Sequence, residues 1–198
     1  MGTYELIFEV CAPTAEQIDA LYEHEDALLS SHRRTWLVTL SSDGVSALTA
    51  STSAVGRLEA LGMSVCRIYE DLVTRSEIAR RGEVTAQAVG QWVRGLRQSA
   101  ATPDFPEPFN YACGGSELWL WSDVNAWLSH IGKADDLLHP GRVDYILIND
   151  WLLKHSAELR TTSIATFVAP ARISATTTLQ MRTVSETFTA HQYDLIKG

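Results

Sequence analysis

The sequence predicts an α+β protein, and three patterns carry that prediction. Over residues 1–70, stretches of alternating apolar and polar residues take turns with stretches whose apolar residues recur every three or four positions. Over residues 71–131, two short helical segments separated by a glycine lead into proline-containing extended sequence and a Gly-Gly step. Over residues 132–198, a strongly apolar helical segment gives way to Thr-rich, β-prone sequence.

Tyr4–Val10 alternates apolar and polar residues and is expected to be a strand. Thr14-Ala-Glu-Gln17 has the capping-box pattern and opens a helix to about Tyr22, with Ile18 and Leu21 inward. Ala27–Ser30 and Thr35–Ser41 form a hairpin across Ser31–Arg34. Asp43-Gly44 is expected to turn the chain into a helix over Val45–Leu61, with Leu48, Val55, Leu58 and Leu61 along one side, and Met63–Tyr69 is a further strand. This β-α-β-β-α-β order resembles the ferredoxin-like split βαβ unit. The unit has no phosphate loop and no metal-ligand spacing, and its acidity disfavours RNA on its strand face. Its expected role is a scaffold or a docking domain for a protein partner, with ligand sensing as the alternative.

In Leu72–Leu128, Thr74-Arg-Ser-Glu77 repeats the capping-box pattern, Ile78 and Ala79 give the short helix an apolar face, and Gly82 is expected to end it in left-handed geometry. Thr85 then caps a second helix, Ala86 to about Leu96, with Val89, Trp92, Val93 and Leu96 inward. The two helices and their tight turn make a helix-turn-helix. Phe105-Pro-Glu-Pro-Phe-Asn-Tyr111 is too proline-rich for a helix and leads into a short strand. Gly114-Gly115 supplies a hairpin tip, Leu118–Trp121 the return strand, and Ser122-Asp123 the cap of a third helix carrying Val124, Trp127 and Leu128. Trp92, Trp119, Trp121 and Trp127 are expected in the core.

These elements in this order resemble the winged helix-turn-helix of the excisionase and MerR-like DNA-binding families. The resemblance rests on the helix-turn-helix, Phe105-Pro106 and Pro108, Gly114-Gly115, Trp119 or Trp121, and Ser122-Asp123-Val124 with Trp127-Leu128. It implies a domain over 71–131 that binds double-stranded DNA, either as a transcriptional regulator or as a recombination accessory or architectural factor. Two departures stand out. The tip, Cys113-Gly-Gly-Ser-Glu117, carries no cation, and the chain has no sustained heptad, so the dimerising coiled coil of many MerR proteins is missing.

Beyond a connector over 130–142, Val143–Glu158 is expected to be a helix that sets Val143, Ile146, Leu147, Trp151 and Leu152 on one face, as core or as an interface. From Thr161 onward, SIATFVA, TTTLQMRT and SETFTAHQYDLI are expected to be short strands. A homodimer is expected through this C-terminal segment.

Charge places the function. The chain of 198 residues carries a net charge of −8, unlike a non-specific polyanion binder. Residues 1–72 hold 4 basic and 11 acidic side chains, residues 73–99 hold 5 and 2, and residues 100–198 hold 7 and 11. The one positive block therefore coincides with the helix-turn-helix. On the second helix the outward side includes Ala86, Gln87, Gly90, Gln91 and Arg94. Gln87 matches adenine, and Arg94 matches guanine or phosphate. Thr85 and Arg75 suit a phosphate, and Arg80, Arg81 and Arg97 are expected on the DNA backbone, with Tyr111 and Ser116 donating from the hairpin.

An enzyme is not expected. The histidines show no HxxxH or HExxH spacing, no cysteine pair lies close enough in sequence for a zinc knuckle, and no nucleophile-elbow, Walker or dinucleotide fingerprint is present. No cofactor, metal or catalytic residue is assigned, and Glu23–Asp26 and Asp135-Asp136 are expected to be solvated turns. Three widely spaced cysteines, no apolar run of membrane-spanning length and no basic leader point to a cytoplasmic protein with reduced, partly buried thiols. The competing expectation is an adaptor whose winged helix serves as a protein-interaction surface.

Overall fold

A computed structural model describes residues 1–96, 102–112 and 114–167, with side chains described to residue 157. Met1–Thr161 form one compact unit and Thr162–Gly198 a second. The chain is α+β.

In the first unit, strands β1 (Gly2–Val10), β2 (Ala27–His32), β3 (Thr35–Gly44) and β4 (Val65–Ile68) form an antiparallel sheet in the order β2-β3-β1-β4. Period-two alternation puts Leu6, Phe8 and Val10 of β1, with Val38 and Leu40 of β3, on one buried face. Helices α1 (Ala15–His24) and α2 (Ala47–Ala60) cover that face through Leu21, Ala50, Ala54, Val55 and Leu58. The Thr14 capping box forms as expected, and Ser46 makes an equivalent one with Thr49. Asp43 and Gly44 do not turn: β1 begins at Gly2 and pairs Gly44, so β3 runs to its end. A Cβ on Gly44 would meet the Ala50 amide nitrogen at 2.6 Å, so this glycine lets the strand approach α2 closely.

A second core lies under β5 (Leu72–Val73), α3 (Arg75–Arg81), α4 (Ala86–Val93), β6 (Asn110–Tyr111), β7 (Glu117–Leu120) and α5 (Trp121–Ser129). The sheet order here is β5-β7-β6. Val73, Ile78, Val89, Trp92, Trp119, Trp121, Val124, Trp127 and Leu128 are buried in it. The Phe105 ring packs against Trp92, Trp119 and Trp127 with centroids 5.0–6.2 Å apart. The proline-rich segment also supplies acceptors: the indole N–H groups of Trp119 and Trp127 donate to the Pro106 and Pro103 carbonyls, each at 3.0 Å.

Three details of this region differ from the sequence expectation. Gly82 keeps φ at −80°, and Glu83 takes the left-handed conformation at 51°. A Cβ at residue 82 would lie 3.3 Å from a Leu128 methyl group, so Gly82 serves helix packing. Helix α4 ends at Val93, because Gly95 at φ 76° closes it with the paired bonds Gly95 N–H to Trp92 O and Leu96 N–H to Gln91 O. Leu96 is therefore outside the helix and exposed. Helix α5 starts at Trp121 without a side-chain cap, so Ser122 and Asp123 lie inside it.

Leu138 bridges Tyr4 of β1, and α6 (Arg142–Phe167) follows. Tyr145, Ile148 and Leu152 of α6 complete the first core, and Asn149 Oδ1 accepts the Ile68 amide of edge strand β4 at 3.1 Å. The face expected to serve as core or interface divides: Leu152 is buried and Trp151 packs against the core, whereas Val143, Ile146 and Leu147 are exposed. Apolar residues point in almost every direction around this helix, so the bonds that Asn149 Oδ1 accepts from the Ile68 amide and the Tyr145 hydroxyl accepts from the Asp71 amide select the buried side. Ser163–Phe167, expected in a strand, belong to α6. The strands expected beyond residue 167 lie outside the described residues. No helix among the described residues is long and apolar enough to cross a membrane.

Candidate nucleic-acid interface

Helix α4 starts at Thr85, whose hydroxyl accepts the Ala88 amide at 3.1 Å. Burial of Val89 and Trp92 fixes the rotation of the helix about its axis. Gln87, Gln91 and Arg94, spaced i, i+4 and i+7, then share an exposed stripe, with Thr85 and Ala86 exposed at the helix start. Eight residues of helix span about 12 Å, comparable to the width of a major groove.

The arginines divide into three groups. The Arg80 and Arg94 side chains are exposed and have no ionic partner among the described residues. Arg75 pairs with Glu117 at the start of β7 and lies over the Trp119 ring, while remaining half-exposed. Arg75 thus neutralises Glu117 at the base of the β6–β7 hairpin. Arg81 is withdrawn from the surface set. Its guanidinium donates two bonds to Asp71, at 2.6 and 2.8 Å, and stacks 4.9 Å above Trp121. Burial alone would lower its pKa, but the Asp71 bonds raise it above the ordinary arginine value. The assignment of Arg81 to a DNA phosphate is therefore corrected to an internal ion pair. Arg97 lies outside the described residues.

At the hairpin, Tyr111 is 61% exposed and Ser116 is exposed beside Gly114 and Gly115, both at positive φ. The backbone closes the tip through Ala112 N–H to Ser116 O at 2.8 Å. Tyr111 and Ser116 thus sit on the same hairpin, with the Arg75–Glu117 pair at its base.

Sequence reasoning missed the polar junction between the two cores. Asp135, expected as a solvated turn, accepts from the Trp121 indole at 3.0 Å, the Asn125 amide at 2.8 Å and its own second neighbour, the Leu137 amide. His139 Nε2 lies 2.9 Å from the same carboxylate, and its Nδ1 lies 3.9 Å from Glu5. Burial would raise the Asp135 carboxyl, yet the His139 and Trp121 bonds hold it below the usual aspartate value. Burial raises the Glu5 carboxyl, with His139 acting against that rise. Donor atoms of Glu5, Asp71 and His139 come within 4.8 Å of one another, but Arg81 already occupies both Asp71 oxygens. The Arg81–Asp71 pair fills this junction, and a cation there would have to displace a guanidinium. The spacing of His139 four residues after Asp135 was the sole local signal; Glu5 and Asp71 are too distant in sequence to be linked to it.

Cys11, just past β1, and Cys66, on β4, were expected to be partly buried and are exposed; Cys113 lies outside the described residues. The acidic turn Glu23–Asp26 is anchored by Glu25, which accepts from Arg57 at 3.0 Å.

Comparison of the chain with protein-family models, curated proteins and solved structures finds no match.

Proposed function

We propose that the protein is a sequence-specific double-stranded DNA-binding protein acting as a transcriptional regulator, with α4 as the recognition helix in the major groove. The reading takes residues 71–131 as a winged helix-turn-helix whose wing is β6–β7, and residues 1–70 as a ferredoxin-like unit. The antiparallel order β2-β3-β1-β4 supports the second assignment. The observation that carries the function is the exposed Gln87–Gln91–Arg94 stripe on a helix whose opposite side is locked into an aromatic core. Two carboxamides and a guanidinium in line offer donors and acceptors to base edges. Arg80, and Arg75 at the wing, supply phosphate contacts. Few free cations imply modest affinity with a shallow salt dependence, each phosphate contact adding roughly one unit to the slope.

A mobility-shift series on random and upstream genomic DNA over a range of salt concentrations tests this. Retardation that weakens with salt and vanishes in a Gln87→Ala, Arg94→Ala double variant is expected. Absence of retardation at micromolar protein in low salt favours the second reading, a protein-interaction adaptor. One observation favours that alternative: Arg75 and Arg81 both have carboxylate partners within the chain, which lowers the free positive charge of this face.

A further inference from the structure

The outer face of the first sheet carries a cysteine pair that the DNA-binding reading does not use. Strand β4 pairs with β1 through Ile68↔Phe8 and Arg67↔Glu9, but the next partner of Val10 is Val65, so Cys66 is the extra residue of a β-bulge. The bulge places Cys66 and Arg67 together on the exposed side, between buried Val65 and Ile68. Cys11, just past the end of β1, is exposed as well, and its amide bonds to Ser64 O at 2.9 Å. The result is a Cys11 Sγ to Cys66 Sγ separation of 3.3 Å across residues 55 apart in sequence.

We propose that Cys11 and Cys66 form a reversible dithiol–disulfide pair, a modification site that closes across the β1–β4 edge on meeting a low-molecular-weight disulfide. A covalent S–S bond needs about 2.05 Å, so closure requires the sulfurs to move only about an ångström closer, within reach of side-chain rotation. In the first step one cysteine sulfur, as thiolate, attacks the small disulfide. A mixed disulfide forms, the small molecule's S–S bond breaks, and one small thiol leaves. In the second step the other cysteine sulfur attacks the modified one, forms the Cys11–Cys66 bond and expels the second small thiol. The cysteines lose two electrons, the small disulfide gains them, and the two cysteine protons end on the two released thiols.

The surroundings favour a disulfide over a metal. Glu9, on the same face, is held by Arg67 at 2.8 Å, and among the described residues the two sulfurs belong to no group of three metal-ligating side chains. They also set the speed. Burial, reinforced by the hydrogen bond with Cys11, pushes the Cys66 thiol up to about 11, so closure is slow at neutral pH and quickens as pH rises. That behaviour suits a thiol pair that registers sustained oxidation, as cytosolic sensing disulfides do, and not a rapid catalytic dithiol.

The test uses the full chain with Cys113→Ser, so that only the pair can react, titrated with oxidised glutathione at pH 8. Expected is loss of both alkylatable thiols, a mass about 2 Da lower with no bound glutathione, a proteolytic fragment joining Cys11 to Cys66, and full reversal by dithiothreitol. The further variant Cys66→Ser is expected to stop as a glutathione adduct at Cys11. Stable adducts on both cysteines, bonds only between separate chains, or retention of both free thiols would overturn the proposal. None of these readouts involves DNA, so the DNA-binding reading stands or falls separately.

Discussion

Replacing Arg81 with methionine separates two roles for this side chain: a phosphate contact, as the positive block of sequence implied, or a partner of Asp71. The Asp71 side chain is 10% exposed and Arg81 is 25% exposed, with two charge-assisted bonds between them. Removing one member of a buried pair costs about 3–5 kcal/mol, because the other charge is left without compensation. Here Arg81 retains some solvent, which screens the interaction, so we expect roughly 2–3 kcal/mol. The isolated Asp71 would also face Glu5, a second carboxylate across the junction. With a urea slope of about 2 kcal/mol/M, the unfolding midpoint should fall by roughly 1–1.5 M. Tryptophan fluorescence reports it directly, since Arg81 stacks on Trp121, and circular dichroism gives the second probe that a two-state treatment needs. Adding Asp71→Leu should recover much of the loss. An unchanged midpoint, with weaker DNA retention or a shallower salt slope, would refute the internal pairing and restore Arg81 to the surface set.

Two other outcomes are open to measurement. The raised Glu5 carboxyl keeps its proton in the folded chain at pH values where the unfolded chain has lost it, so its contribution is fully present below its ordinary 4.5 and declines as pH rises through the folded value. Urea titrations from about pH 4 to 7 should therefore show Glu5→Gln gaining on the parent as pH rises, and a constant difference would count against the assignment. We also propose that the homodimer, if formed through the C-terminal segment, uses the exposed apolar side of α6, where Ile146 and Leu153 are 65% and 72% exposed. Ile146→Asp with Leu153→Asp should then sediment as a monomer under conditions where the parent dimerises, without loss of folded structure; equal sedimentation would remove α6 from the interface.

What could be read from the chain alone was what neighbouring residues decide among themselves. Thr14 and Thr74 each find their capping partner three residues on, and both boxes form. Alternation along Tyr4–Val10 marked a strand, and Leu6, Phe8 and Val10 form its buried side. Trp92, Trp119, Trp121 and Trp127 are buried as their size demands. The outward stripe of α4 followed from the same reasoning, because Val89 and Trp92 leave a helix that short one way to turn.

Tertiary structure decided everything that depends on a partner distant in sequence. Helix α6 offers apolar residues in almost every direction, and Asn149 meeting the Ile68 amide chose among them. Arg81 looked like its neighbour Arg80 until Asp71, ten residues earlier, came to lie beside it. One bulged residue in β4 brought Cys66 against Cys11. Local sequence sets backbone preference and periodicity within a turn or two; which polar groups must be matched on burial is settled only when the elements meet, because an unmatched one is penalised there and nowhere else.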